Sequence, residues 1–321
     1  MAKRAVKIVI SFVVLFGGLA IVFFNRYSIY DWERLHNYHA PQNIATLSQQ
    51  TAMTSKARKI FYTTYPQIDD RTNFNSNCKV TEQTIVLGCF TSGKIYIYDV
   101  TNTELNGVQQ VTAAHEMLHA VYARLSPSEK VRVDALLESA FKSINDPVLN
   151  QTMKSYQKTE PGQRDNELHS ILATEYSNIG TDLEDYYRQY FTNRDQVVSY
   201  SNQYKEVFQN IKNKVATYDQ ELAVQKTKIK DLESTLAAEY SDLQSQKANL
   251  QSALKTLPPS VYNTQVADYN NQVDQYNTQV AMLQSYIATY NALVAQRNAL
   301  AVQQQGLADS LNSSVPTATA N

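Results

Sequence analysis

The sequence predicts an α+β domain carried between an N-terminal transmembrane helix and a C-terminal antiparallel coiled-coil helical hairpin. Three observations predict it. Residues 8–24 form an uncharged stretch of 17 residues, β-branched and aromatic runs at 84–98 give way to a helical pattern, and apolar heptads beginning near residue 197 are broken once, at Pro258-Pro259. The implied division is an anchor over 1–26, a folded domain over 27–196, the hairpin over 197–310 with its turn at 258–259, and a disordered tail over 311–321.

The anchor comes first. An uncharged run of seventeen residues lies near the short end of what crosses a bilayer. Lys3, Arg4 and Lys7 precede the run and only Arg26 follows closely, so the charge bias predicts a cytoplasmic N-terminus and an extracytoplasmic remainder at the cell membrane. Cleavage as a signal peptide at Gly18-Leu19-Ala20 is the competing reading, but Ile21-Val22-Phe23-Phe24 continues the apolar run beyond it. Tyr27, Tyr30 and Trp32 follow, where an aromatic belt meets the membrane surface.

Thr84–Phe90 and Lys94–Tyr98, separated by Thr91-Ser92-Gly93, predict a β-hairpin. Cys78 and Cys89 are the only cysteines, and a bridge between them fits an oxidising compartment. Ten intervening residues make them poor zinc ligands.

Residues 109–125 contain neither Pro nor Gly, and Val108, Val111, Thr112, His115, Leu118, His119 and Tyr122 recur at helical spacing. Ser126-Pro127-Ser128-Glu129 then carries an N-cap, a Pro at N1 and a Glu at N3, so one helix ends and another begins there. Within the first helix stands His115-Glu116-Met117-Leu118-His119, an H-E-x-x-H run. One helical turn separates the two imidazoles, which can therefore share a metal ion, while Glu116 is placed as general base toward a metal-activated water. Two buried histidines with ordinary hydrogen bonds are the bland alternative.

A catalytic zinc takes three protein ligands and one water. No third histidine follows the motif at short range, so a downstream carboxylate is expected. Residues 163–179 predict a second helix on which Glu167, Ile171, Thr174 and Glu175 share a face. A carboxylate on an apolar face requires a partner: a metal for Glu167, and a ligand His ring for Glu175, or the reverse.

Here the chain resembles the zincin metallopeptidases, in the gluzincin branch, which combine H-E-x-x-H on one helix with a Glu on a later one. Asn166-Glu167-Leu168-His169-Ser170 is similar to the N-E-x-x-S/A stretch that carries the third ligand in that branch. The resemblance spans about residues 75–195 and implies a zincin-like domain with His115, His119 and Glu167 as zinc ligands and Glu116 as general base. Ile171 stands where an Asp often follows, and the motif-to-Glu gap is long, so Glu175 stays open as alternative ligand or support. Tyr176, Tyr186, Tyr187 and His169 are candidate oxyanion donors. The resemblance also implies that an edge strand of the hairpin region aligns an extended peptide or protein substrate.

From residue 197 the seam Tyr204, Phe208, Ile211, Val215, Tyr218, Leu222, Ile229, Leu232, Leu236, Leu243, Leu250 and Leu257 is interrupted by Gln225, Glu239 and Gln246. A second seam, Tyr262 to Val294 through Ile287, repeats Tyr-Asn-x-Gln-Val at 262 and 276, with a variant at 269. Two such helices around a Pro-Pro turn fold back on each other, and self-association through them is a further possible use. A net charge of −1 without basic clusters beyond the anchor argues against nucleic acid as partner. The function implied is a membrane-anchored extracytoplasmic zinc endopeptidase. The alternative is a cell-surface coiled-coil interaction protein whose zincin-like domain is inactive.

Overall fold

The computed structural model describes residues 26–78 and 86–314. The expected anchor over 8–24, Thr84 and Ile85 of the expected hairpin, and 315–321 of the expected tail lie outside them. Among the described residues no helix is long and apolar enough to cross a membrane. The chain divides into two compact units, Met1–Val207 with Leu307–Asn321, and Phe208–Gly306.

The first unit is mostly helical with one small sheet, an α+β arrangement. It opens with α1 (Arg26–Leu35), α2 (Gln42–Gln50), α3 (Ser55–Thr63), β1 (Gln67–Asp69) and α4 (Arg71–Asn77). Thr54 and Asp70 cap α3 and α4 by accepting from Ala57 and Asn73 amides. These short elements carry too few residues to show a period, and the sequence reading assigned none of them.

The hairpin forms over β2 (Gly88–Thr91) and β3 (Lys94–Tyr98), later and shorter than expected. Ser92 at φ +50 and Gly93 at φ +72 make the two-residue turn that the strand twist favours. β1 joins β3 in parallel, giving the order β1-β3-β2 with β2 at one edge. A disulfide joins Cys78, at the end of α4, to Cys89 in that edge strand.

The motif helix is α5 (Val108–Tyr122), and thirteen of its fifteen residues are buried. The expected single apolar face is therefore too narrow a description: α5 is the central element, covered on nearly every side, as a helix apolar all round must be. It packs on α3, on β2 and on α8 (Arg164–Glu175). Its start requires glycine, since Gly107 holds φ +103 and a Cβ there would lie 2.7 Å from the Tyr200 carbonyl oxygen.

α6 (Pro127–Ile144) opens on the expected capping box: the Glu129 amide donates to Ser126 Oγ, and the Ser126 amide donates to Glu129 Oε2 at 2.8 Å. α7 (Pro147–Thr159) is capped by Asp146. α8 ends at Glu175, earlier than the expected 179, because Tyr176 turns extended. The fully engaged guanidinium of Arg194 closes that end, donating to the carbonyls of Ala173, Tyr176 and Ser177 and to Glu184 of α9 (Thr181–Tyr187). Arg194 begins α10 (Arg194–Ala253), so the first turn of the long helix locks the end of α8.

At the N-terminal side, the Arg124 guanidinium lies 5.4 and 6.0 Å from the ring centroids of Tyr27 and Tyr30, which remain 36% and 37% exposed. Only Trp32 of the three aromatics is widely exposed, at 67%.

The hairpin unit comprises most of α10 and of α11 (Pro259–Leu311). Its arms pair in reverse order, Arg297 with Asp219, Gln279 with Glu239 and Gln246 with Gln272, so it is antiparallel. Two of the polar interruptions of the first seam, Glu239 and Gln246, thus meet glutamines of the Tyr-Asn-x-Gln-Val repeats. One residue departs from the expected register: Ile287 is 38% exposed, and Tyr286 takes the inner position beneath Lys228. The expected tail begins with placed residues: Leu311 and Ser313 are buried, Ser313 donates to the Val86 carbonyl at 2.6 Å, and Asn75 donates to the Ser313 carbonyl.

Candidate metal centre

His115 and His119 project from successive turns of α5, with ring centroids 4.7 Å apart. The ligand-capable atoms of His115, Glu116 and His119 lie within 4.8 Å of one another, a cluster able to hold a metal ion. A third group arrives from α8. Glu167 places Oε2 3.5 Å from His115 Nε2 and Oε1 3.5 Å from His119 Nε2. These distances are long for an N–H···O bond, so the carboxylate spans the two rings instead of docking on one. Burial alone would raise the Glu167 carboxyl pKa. The His115 contact, the positive potential of His119 and His115 and the Tyr156 hydroxyl outweigh it and hold the group below the usual carboxylate range.

The ring of His119 is oriented from behind. Its Nδ1 lies 3.0 Å from Asn166 Oδ1, and the Asn166 amide is fixed by its own donation to Gln163 Oε1 at 3.0 Å. An amide oxygen only accepts, so Nδ1 carries a proton and Nε2 is the nitrogen that faces Glu167. Ser170 Oγ stands 3.4 Å from the same nitrogen.

Glu116 is 5% exposed and lies against the edge strand. A Cβ at Gly88 would come within 2.7 Å of Glu116 Oε1 and 2.5 Å of Thr112 Cγ2, so only glycine lets β2 approach this closely. The edge strand and the general-base candidate are consequently neighbours, which identifies β2 as the strand at the site.

The remaining sequence candidates fall elsewhere. Glu175 pairs with Lys205, Oε2 to Nζ at 2.6 Å, two turns and about 12 Å farther along α8 than Glu167. It therefore does not meet the histidines. His169 is fully buried behind the ligand face, with Nε2 2.9 Å from the Tyr186 hydroxyl and burial pushing its pKa down to about 3, so it stays neutral. Tyr187 donates to the His169 carbonyl at 2.7 Å, and Tyr176 hydrogen-bonds Asp146. Tyr186, Tyr187 and His169 form a packed cluster that supports α8. The tyrosine hydroxyl that hydrogen-bonds Glu167 is that of Tyr156, from α7, which no spacing in the sequence marks. Asn166 stood within the quoted N-E-x-x-S stretch, without an assigned role.

Compared with family models, curated proteins and solved structures, the chain matches none of them.

Proposed function

We propose that this chain is a membrane-anchored, extracytoplasmic zinc-dependent endopeptidase with a zincin-like domain of gluzincin type. The observation that carries the proposal is the spacing of Glu167 from the two rings. Donors around a tetrahedral zinc at about 2.0–2.2 Å stand roughly 3.3–3.6 Å from one another. The two His–Glu separations of 3.5 Å fall within that interval. Two imidazoles and one carboxylate are also the donor set of hydrolytic zinc sites, in which a fourth position remains for water. The Cys78–Cys89 bridge fits an oxidising compartment, and the charge bias around 8–24 fits an N-terminus inside.

When bound, zinc supplies a Lewis acid that brings the pKa of water from about 15.7 to near 7 and polarises a carbonyl. The chain does the rest. Glu116 takes the proton of the attacking water as the C–O bond forms, and returns it to the amine nitrogen as the C–N bond breaks. Asn166 keeps the His119 lone pair directed inward, and Tyr156 holds the Glu167 carboxylate. β2, the edge strand among the described residues and a neighbour of Glu116, would align an extended peptide through its outer backbone groups.

Zinc content and hydrolysis of an unfolded protein substrate, measured on the full chain and on Glu116→Gln, Glu167→Ala and Glu175→Ala, test the reading. Stoichiometric zinc is expected in all but Glu167→Ala, with activity in Glu116→Gln reduced roughly 10²–10⁴-fold. A folded wild type that takes up no zinc overturns the proposal, and full function in Glu116→Gln would transfer the role to the coiled-coil hairpin.

A further inference from the structure

α1 has two unlike faces. On one, the Tyr27 hydroxyl donates to the Ala123 carbonyl at 3.3 Å, Asp31 binds Arg124 at 2.9 Å, and Arg34 donates to the Thr63 carbonyl at 2.8 Å while lying 3.8 Å from the Tyr65 ring centroid. Tyr65 returns a hydrogen bond to the Arg34 carbonyl at 2.8 Å. These contacts fix the rotation of the helix about its axis. On the opposite face, at helical spacing, stand Arg26, Ile29, Trp32, Glu33 and His36, all exposed, with Ile29 at 49% and Trp32 at 67%. Trp32 stacks on its neighbour His36, ring centroids 5.1 Å apart.

What covers this face follows from the chain that precedes it. The uncharged run ends at Phe24, two residues before the helix begins. Two extended residues reach at most about 7 Å, and six helical residues from Arg26 to Trp32 rise about 9 Å. Trp32 therefore lies within roughly 16 Å of the end of the apolar run, close enough for its ring to reach the headgroup layer. Arg26, between the run and Ile29, is suited to lipid phosphate.

We infer that the outward face of α1, Ile29 and Trp32 flanked by Arg26, lies in the outer-leaflet headgroup layer of the bilayer that holds residues 8–24. The inference rests on the anchor reading of that run. Its consequence is geometric: the other face of α1 holds the residues just after the motif helix, Ala123 and Arg124, so bilayer and metal centre are joined through one helix without a spacer.

Trp32 is the only tryptophan, so intrinsic fluorescence reports this face alone. The full chain is reconstituted in phosphatidylcholine vesicles and in matched vesicles brominated on the acyl chains, with flotation as a check on the anchor. Flotation with the vesicles, a blue-shifted emission and loss of at least half the fluorescence in brominated lipid are expected. A floating chain whose Trp32 is quenched by aqueous acrylamide and not by brominated lipid overturns the inference and leaves the anchor standing. A floating chain shielded from both overturns it in favour of a protein partner or a second copy. A chain that does not float overturns the anchor reading and this inference with it.

Discussion

The motif helix and the coiled-coil hairpin are both regular helix, yet they are held in opposite ways. α5 is fifteen residues long and buried almost throughout, and the polar groups at its centre are met from outside the helix: His119 by Asn166 and His115 by Glu167, both of α8, while β2 packs closely on Glu116. The hairpin arms run for 60 and 53 residues with only a half-buried stripe, and what meets that stripe is the other arm of the same motif. Chemistry that depends on fixed distances is placed where many neighbours determine each side chain. A repeated seam suffices where length and direction are what matter.

Core deletion tests this contrast most severely. Leu118 is fully buried between the ligands, whereas Leu250 on the hairpin seam is only partly covered. Leu118→Ala should cost about 2–5 kcal/mol and Leu250→Ala clearly less, read by hydrogen exchange on α5 and α10 separately. Equal costs would remove the distinction between the two regions.

The next effect isolates orientation from ligation. Asn166→Ala leaves every ligand in place but frees the His119 ring, so zinc affinity should fall about 10–100-fold while the fold is retained. Competition with a calibrated chelator measures this, and an unchanged affinity would mean that packing alone orients the ring.

A smaller effect belongs to the junction after the motif helix. Ser126→Ala should remove about 1 kcal/mol. The Ser126 hydroxyl and amide hold the exposed Glu129 carboxyl below its ordinary pKa. The stabilisation is thus present above the unfolded carboxylate value and lost as pH falls through the lowered one. The difference between wild type and Ser126→Ala in thermal melts should accordingly shrink in acid.

Smallest is a gain. Gln225 interrupts the hairpin seam with a buried Oε1 that has no hydrogen-bond partner, unlike Gln246 and Glu239. Gln225→Leu should stabilise the hairpin by about 1 kcal/mol. A loss instead would show that this glutamine sets register or partner choice.

The hairpin was almost wholly legible because a coiled coil is a local code: the seam from Tyr204 to Leu250 recurs as the less exposed positions of α10, and only Ile287 slips to Tyr286. The capping box, the disulfide partners and the two motif histidines were legible for the same reason, each being a short pattern whose chemistry is written in adjacent residues. α1 through α4 and β1 were not, since elements of three to ten residues leave no period to read.

By itself the sequence determined that His115, Glu116 and His119 share one helical surface, because 3.6 residues per turn is a property of the backbone. It narrowed the candidate third ligand to two glutamates on one helix and went no further. Only the tertiary structure set which of them meets the two histidines. The crossing of α8 on α5 brings Glu167 to the two rings and leaves Glu175 two turns away beside Lys205. The same packing directed Tyr156 to the site, turned Tyr186, Tyr187 and His169 into support for α8, and required Gly88 where β2 meets Glu116. Periodicity fixes which residues share a face. What that face meets is settled by the close packing of elements far apart in the chain.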